Sequence, residues 1–368
     1  MKILNIMEGT ELGGTEQSSL NLMKGMKKLG HKFIVLSLSP PGMLKKELQK
    51  NDIPLHSFNI SLFNLFKSIF LLKKKINELN PDYIINTGGN IISLFSIGKV
   101  FKKKSYLAIH YHHFIDDKLL YRYVRWKLFY YFAMKKFSFI TFASDFIRDE
   151  ALKISPSLTK HSLTVNNPIQ DKQIKTDHEK NVSRDFFGIP HDAFVIGNAG
   201  WLIKRKRFDV LLKVGYELNK KYKNVIILIA GDGNEKNNLL AQAKKLGISK
   251  KIIWLGWLKN LNHFYNSIDY LIFNSEIDAV GLTPIEAIIK GVIPFCSIKN
   301  GGLKEILKDE YSYFLLNEHD IPEIVKRINF SISNKDETYN LLLKCRNYIL
   351  QGSSSDLVSN QINRLILK

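Results

Sequence analysis

The 368-residue sequence predicts an α/β protein of two domains, each built on a mostly parallel sheet. Three observations lead there. Short apolar runs of strand length alternate with amphipathic stretches of helix length, the pattern of βαβ units. The length suits two domains better than one. The alternation breaks near the middle, at Asn166-Asn167-Pro168 and the polar residues 170–190 that follow, which read as an interdomain linker because Asn-Pro disfavours helix.

The first strand is read at 2–7 (KILNIM). Gly13 and Gly14 follow in a loop, ahead of an amphipathic helix over about 16–29. Gly30 stops that helix, and 32–38 is the next strand. Glycines before a helix start let backbone N–H groups approach a phosphate or sugar. They do not make a G-x-G-x-x-G fingerprint, and a plain tight loop is an equal local reading. Further strands are read at 54–60, 83–86, 105–109 and 139–143, with helical stretches such as 62–79 between them. Parallel sheets bind ligands at the carboxyl ends of their strands. His110 stands at such an end and is the ligand-facing candidate, with His112 second; a polar strand terminus is the bland alternative. No metal site is read from His110, His112 and His113, because neither H-E-x-x-H spacing nor a cysteine partner accompanies them. Residues 118–139 interleave Arg122, Arg125, Lys127, Lys135 and Lys136 with aromatic residues, and Lys102, Lys103 and Lys104 add to the charge. This suits an anionic membrane surface. A packed helix with snorkelling cations is an equal reading, and nucleic acid ranks below both for want of a recognition motif.

The second half opens with a strand at 194–199 and then Gly200, Trp201 and the run Lys204-Arg205-Lys206-Arg207. Four cations beside a strand end can receive a diphosphate, although a solvated basic turn is the ordinary outcome. Strands at 225–230 and 252–255 follow, the latter ending at Gly256-Trp257, whose indole can pack in the core. A helix around 260–267 leads to a strand at 270–273 and a loop holding Glu276, Asp278 and Gly281. Thr283-Pro284-Ile285-Glu286 then reads as a helix start, with Thr283 at the N-cap, Pro284 at the first position and Glu286 closing a capping box. Asp278 and Glu286 can face one pocket, and Gly281 with Leu282 and Thr283 can present backbone N–H groups to an anion. A strand at 292–296 and Gly301-Gly302 follow, and after 312–316 the chain is mainly helical, ending in a last helix at about 356–367.

Bulk properties narrow the classes. With 45% hydrophobic and 24% charged residues the chain is globular. Cys296 and Cys345 make neither a disulfide framework nor a metal cluster and read as reduced thiols of a cytoplasmic protein. No apolar run is long enough to span a bilayer, and the first residues do not read as a secretory signal. The net charge of +20 favours anionic partners. It is concentrated early: residues 1–168 hold 25 Lys and Arg against 12 Asp and Glu.

Taken together, Asp278-Ala-Val-Gly-Leu-Thr-Pro-Ile-Glu286-Ala, Gly291 to Pro294, Gly301-Gly302, the segment Gly200 to Asp209, and Gly13-Gly14-Thr-Glu before Gly30-His31 resemble family 4 glycosyltransferases. The resemblance implies the GT-B fold: two Rossmann-like domains with parallel sheets facing a central cleft. It sets an acceptor-binding domain at 1–170, joined by the C-terminal helix (about 356–368), and a nucleotide-sugar donor domain at 171–355. It implies a retaining hexosyltransferase that moves a sugar from a UDP- or GDP-linked donor to a glycan or lipid-linked acceptor, in cell-surface polysaccharide or lipid-linked glycan synthesis. No metal or other cofactor is implied; the setting is cytoplasmic, with peripheral attachment to the inner face of the membrane. By the same resemblance Asp278 and His110 orient the transferred sugar, and Glu286 binds the ribose. Lys206, with Arg205 near it, meets the diphosphate, Gly281, Leu282 and Thr283 line sugar and diphosphate, Gly13 and Gly14 admit the phosphate, and the base lies beside Trp257, the candidate to stack on it. Two departures stand out: Asp278 replaces the usual Glu, and Trp201 replaces the usual Arg. Two rivals stand beside this reading: a related GT-B nucleotide-sugar epimerase, and, on the strength of Trp201, a non-catalytic protein that binds sugar nucleotide or membrane surface.

Overall fold

The computed structural model describes residues 1–11, 13–58, 64–97, 104–110, 120–316 and 320–367. They form two units, Met1–Gln170 with Gly352–Lys368, and Asp171–Gln351. The first unit carries a seven-stranded parallel sheet: β1 (Lys2–Met7), β2 (Lys32–Ser37), β3 (Leu55–Ser57), β4 (Tyr83–Thr87), β5 (Ser105–Ile109), β6 (Phe139–Phe142) and β7 (Ser162–Thr164). Their spatial order is β3-β2-β1-β4-β5-β6-β7, so the direction of winding reverses between β1 and β4. The helices are α1 (Gly14–Lys28), α2 (Leu44–Lys50), α3 (Leu65–Leu79), α4 (Ile91–Ser96), α5 (Leu120–Lys136) and α6 (Asp145–Ile154). The central strands are mostly apolar because both faces of a parallel sheet are covered; β4 and β5 are buried at every position, and the polar Asn5 of β1 accepts from the Thr87 hydroxyl of β4 at 2.9 Å. Asn90 caps α4 by accepting from the Ile92 N–H at 2.8 Å, and Ser144 caps α6 through the Ile147 N–H.

The second unit repeats the plan with β8 (Phe194–Ala199), β9 (Val225–Ala230), β10 (Ile252–Gly256), β11 (Tyr270–Asp278), β12 (Ile293–Gly301) and β13 (Leu315–Leu316). All are parallel, in the order β10-β9-β8-β11-β12-β13, and the winding reverses between β8 and β11. Its helices are α7 (Asp177–Phe187), α8 (Phe208–Lys221), α9 (Lys236–Lys245), α10 (Asn262–Ser267), α11 (Leu282–Ile289), α12 (Leu303–Ile306), α13 (Ile321–Ser333) and α14 (Lys335–Ser353). The last helix, α15 (Ser355–Leu367), returns to the first unit. Val358, Ile362 and Ile366 enter the core shared by Met23, Val35 and Ile85, while His31 and Asn363 pair at 2.9 Å.

Three local readings of the sequence are corrected. Residues 170–190 are not a plain linker, since α7 occupies much of them. Thr176 and Glu179 cap it reciprocally, at 3.1 and 2.9 Å. Arg184 is fully buried in it, donating to the carbonyls of Ser267, His191 and Ala193 and to Asp269. A cation can be buried where every donor is met. Next, the strand read at 270–273 runs to Asp278, and the one read at 292–296 runs to Gly301, because the two keep pairing to Asp278↔Gly301. Gly301 has φ +150°, and a Cβ there would lie 2.0 Å from the Asp278 carbonyl oxygen. Finally, α11 starts at Leu282 with Gly281 as its N-cap at φ +77°, so Thr283 is not the cap.

Candidate functional site

In a doubly wound sheet the ligand crevice lies at the carboxyl edge where the winding reverses. In the second unit that place is between β8 and β11. The two strands pair only through Ile196↔Tyr270 and Gly197↔Leu271, and the charged residues come after the pairing stops. Past β8, Lys204–Lys206 form a single 3-10 turn. Arg205 donates through Nη1 to the Ile277 carbonyl at 2.7 Å, and the Ser275 hydroxyl donates to the same oxygen at 3.0 Å. The Lys206 ammonium bonds the Asp278 carboxylate and lies 5.2 Å from the centre of the Phe273 ring. Both partners of that pair keep 17% exposure, so the ions are mostly but not wholly removed from water. Arg207 forks onto Asp209 at 2.8 and 3.0 Å and lies 3.8 Å from Glu276. The structure therefore brings Arg205, Lys206 and Asp278 together and turns Arg207 toward Asp209.

Gly281, Leu282 and Thr283 form the N-cap and first turn of α11, where backbone N–H groups lack acceptors within the helix. The Thr283 hydroxyl donates to the Ala199 carbonyl at 3.3 Å, tying this turn to the end of β8. Glu286 does not close a capping box. Its Oε2 accepts from the Tyr265 hydroxyl at 2.9 Å. Burial raises the pKa of the Glu286 carboxyl, opposed by the charge of Lys172 and by the Tyr265 bond. Burial and the neighbouring Glu286 charge push the Tyr265 phenol well above its ordinary value, so it stays a donor. Sequence reasoning missed Tyr265, whose short helix α10 gives no sign of a partner in α11.

Trp257 follows β10, and one face of its ring is covered by Trp201, with centroids 4.3 Å apart and planes at 39°. Trp201 itself is 48% exposed. The Trp257 indole Nε1 is buried without an acceptor among the described residues.

The first unit has a pocket of about 230 Å³ at its own reversal point. Met7, Glu8 and Gly9 past β1, Thr87, Gly88 and Gly89 past β4, and His110 past β5 line it, with Thr15 and Glu16 of α1 and Arg125 and Trp126 of α5. His110 Nδ1 donates to Asn167 Oδ1 at 2.9 Å, and the Ser18 hydroxyl donates to the same oxygen at 2.8 Å. Because Nδ1 carries the proton, Nε2 is an acceptor. Burial lowers the His110 pKa to about 4, against a small opposing effect of the Asn167 bond, so the ring is neutral near pH 7. Gly13 is the N-cap of α1 and Gly14 its first residue. The Gly13 N–H donates to the Glu16 carboxylate at 3.2 Å, and that carboxylate lies over the Gly13 backbone. Burial, more than any other cause, raises the pKa of Glu16.

Asn167 and Glu16 were not singled out by the sequence, which showed the first only as a turn residue. Arg125 and Trp126, in the stretch read equally as membrane-facing or packed, line this pocket, and Trp126 is 4% exposed. The opposite side of α5 does face outward, through Leu120, Tyr121, Val124, Leu128 and Tyr131. His112, His113, Lys102, Lys103 and Lys118 lie outside the described residues.

Residues 179–349 match the family described as glycosyl transferases group 1, and residues 12–163 match glycosyltransferase family 4. A glycosyltransferase of Haemophilus influenzae, uncharacterised in function, is 26% identical over 338 residues, 90% of each chain. The O-antigen biosynthesis glycosyltransferase WclY of Escherichia coli is 22% identical over 285 residues, 74% of this chain and 77% of that one. Among solved structures, Anabaena HepE in complex with UDP and glucose superposes with a TM-score of 0.84 at 18% identity, covering 100% of both chains. With two parallel-sheet Rossmann-like units, ligand faces at both winding reversals, and both halves matched, the chain belongs to the family 4 type of GT-B glycosyltransferases.

Proposed function

We propose that this glycosyltransferase moves a hexose from a UDP- or GDP-linked donor to a hydroxyl of a glycan or lipid-linked acceptor, retains anomeric configuration, and needs no metal. The observation that carries this reading is the Lys206–Asp278 pair at the β8/β11 reversal, beside Arg205 and at the same strand ends as the start of α11. Departure of a nucleoside diphosphate requires that its growing negative charge be met, which cations and unpaired N–H groups in a partly dry site do well. In this reading Lys206 turns from Asp278 to the diphosphate, assisted by Arg205. The freed Asp278 carboxylate accepts a hydroxyl of the sugar. Glu286, with one oxygen held by Tyr265, accepts from the ribose through the other. Gly281, Leu282 and Thr283 present the N–H groups, and Gly13 and Gly14 admit the phosphate at the start of α1 once the Glu16 carboxylate gives up the Gly13 N–H. The neutral His110 ring accepts a sugar hydroxyl through Nε2. HepE, solved with UDP and glucose, supports the donor class, and WclY, an O-antigen enzyme, supports a glycan acceptor.

Turnover is tested with a panel of UDP- and GDP-sugars in EDTA, reading nucleoside diphosphate release and the anomer of the product by NMR. Metal-independent transfer with retention from one donor supports the reading. Inversion, loss of turnover in EDTA, or an altered sugar nucleotide formed without acceptor refutes it, the last in favour of an epimerase.

The proposal includes work at the inner face of the membrane. Phe66 (87% exposed) and Phe70 on α3, with Lys73 and Lys74 following on the same side, and Leu120, Tyr121 and Leu128 on α5 form apolar surface edged by charge. Such surface suits an anionic bilayer. Flotation with phosphatidylglycerol vesicles but not with phosphatidylcholine vesicles is expected. Equal recovery with both would sink the electrostatic part.

A further inference from the structure

Glu286 is asked to accept from a ligand, yet it lies where a carboxylate is costly to charge. The Tyr265 hydroxyl donates to one of its oxygens at 2.9 Å, and a single neutral donor offsets only part of that cost. Further help comes from a stretch with no part in the reaction as written, residues 171–175 ahead of α7.

This stretch is fastened to α10, α11 and α14. The Lys175 N–H donates to the Lys290 carbonyl at 3.2 Å, and the Lys290 ammonium donates back to the Gln173 carbonyl at 3.2 Å. The Lys175 ammonium bonds the carbonyls of Tyr265 and Ile268. Arg346 of α14 donates to the Lys172 carbonyl at 3.0 Å and the Ile289 carbonyl at 3.1 Å, and pairs with Asp171. Gly291 makes room: a Cβ there would lie 2.6 Å from Ile174 Cγ2. The backbone of Lys172 is therefore fixed. Its ammonium donates to Asn262 Oδ1 at 3.3 Å, a neutral partner, and makes no ion pair among the described residues. Asn262 and Tyr265 stand three apart on α10 and share a face. One helical turn thus presents Tyr265 to Glu286 and anchors a free positive charge nearby. Burial raises the Glu286 pKa, and the Lys172 charge, ahead of the Tyr265 bond, draws it back. The other charged groups on these elements are engaged elsewhere: Lys175 and Lys290 on carbonyls, Asp171 on Arg346. His263 of α10 bonds the Ser183 hydroxyl at 3.0 Å.

We propose that Lys172 is a positioning residue of the donor site: anchored by Asn262, its ammonium holds the Glu286 carboxylate in the charged, accepting form that the ribose hydroxyls of the donor require. This rests on the assignment of Glu286 to the ribose given above. A protonated carboxyl turns one oxygen into a donor. With Oε2 taken by Tyr265, that form meets a ribose hydroxyl less well. Lys172 acts through Glu286 and touches no reacting atom.

The test is the Kd of UDP, GDP, their 2′,3′-dideoxy forms and pyrophosphate, by calorimetry from about pH 5 to 9. The proteins are the whole chain, Lys172→Met, Lys172→Arg, Glu286→Gln and the double variant Lys172→Met with Glu286→Gln, with circular dichroism to confirm folding. Without the ammonium the carboxyl protonates at higher pH. Affinity for the better-bound nucleoside diphosphate should therefore fall at higher pH in Lys172→Met than in the unaltered protein. Between the two steps the loss should be about tenfold or more, and above both the affinities should agree. Lys172→Arg should restore the original step. The dideoxy forms and pyrophosphate should bind Lys172→Met as before, and Lys172→Met should add nothing to Glu286→Gln. A loss equal at every pH, a loss shared by pyrophosphate or the dideoxy forms, or no loss at any pH overturns the role of Lys172 while the ribose assignment stands. If Glu286→Gln alone leaves nucleotide affinity unchanged, the ribose assignment fails and this inference with it. If the unaltered protein binds neither UDP nor GDP, the donor class fails first.

Discussion

Replacing Lys206 by Met separates the two tasks assigned to it. In the unliganded protein it neutralises Asp278, and both side chains keep 17% exposure. Unit charges in contact interact by about 4 kcal/mol at an effective dielectric near 20. The residual exposure lets water screen the pair and lets Asp278 partly rehydrate. The expected loss is therefore about 1–3 kcal/mol, below the ~3–5 of a fully buried broken pair. For a unit of this size that is a Tm decrease of about 3–9 °C. Adding Asp278→Asn removes the stranded carboxylate and should return at least half of the loss, giving a coupling of about 1–2 kcal/mol in the double-mutant cycle. Turnover should behave otherwise. Lys206→Met should cost on the order of 100-fold in kcat through lost stabilisation of the leaving diphosphate, and the second change should not restore it. Paired measurements of Tm and of nucleoside diphosphate release decide. Recovery of both stability and turnover in the double variant would show that Lys206 only serves Asp278. Full turnover in Lys206→Met would remove it from the phosphate site.

Three other outcomes follow from the same geometry. Burial raises the Glu286 carboxyl pKa, so its contribution to stability is present below the ordinary carboxyl range and is lost as pH rises through the folded value. Glu286→Gln should therefore flatten that part of a Tm-against-pH curve while raising the donor KM by ~10-fold or more; an unchanged KM would confine Glu286 to structure. For His110 the sign is opposite: its folded pKa is about 4, so stability is full above the ordinary value near 6.5 and declines as pH falls from there toward 4. The turnover profile should show no histidine step between pH 7 and 5, whereas Asn167→Asp, by favouring the protonated ring, should bring such a step toward neutrality; a step near 6.5 in the unaltered enzyme would contradict the neutral ring. Gly301→Ala should cost about 3 kcal/mol and disturb Asp278, since its Cβ would meet the Asp278 carbonyl, whereas Gly247→Ala, also at positive φ but in open space, should cost only about 1 kcal/mol; equal melting temperatures for the two variants would refute the close approach.

The sheets were legible because a parallel strand buried on both faces is a continuous apolar run, as in 83–86 and 225–230. The charged groups at strand ends, Lys206, Asp278 and His110, were legible because loops after strands carry them openly in the sequence. What each of them touches was not. His110 is held by Asn167, 57 residues away, and Glu286 by Tyr265, 21 residues away in another helix. No periodicity encodes such a pair, since the strand order that brings the residues together is itself a tertiary outcome. Arg184 misled in the other direction: an arginine in a polar stretch reads as solvated, and only its acceptors on three neighbouring carbonyls and Asp269 make burial affordable.

The same local motif had two outcomes, and the difference explains why Glu286 is not spent on a helix cap. Thr176-x-x-Glu179 forms the capping box that its spacing implies, at the exposed start of α7. Thr283-x-x-Glu286 has equal spacing and does not. There β11 keeps pairing with β12 as far as Asp278, so only residues 279–281 remain before the helix. Gly281 takes the turn at positive φ and becomes the N-cap, two positions upstream of Thr283. Glu286 is then the fifth helical residue, two positions too deep to reach the N-cap N–H, which a capping box needs at the third. A carboxylate so displaced must find another donor or accept a raised pKa. Tyr265 supplies one hydrogen bond, and burial raises the pKa all the same. A hydroxyl arriving on a ligand would complete what the protein leaves half satisfied. The extension of β11 that carries Asp278 to the Lys206 ammonium is therefore also what releases Glu286 from its cap, so one feature of the sheet prepares both carboxylates.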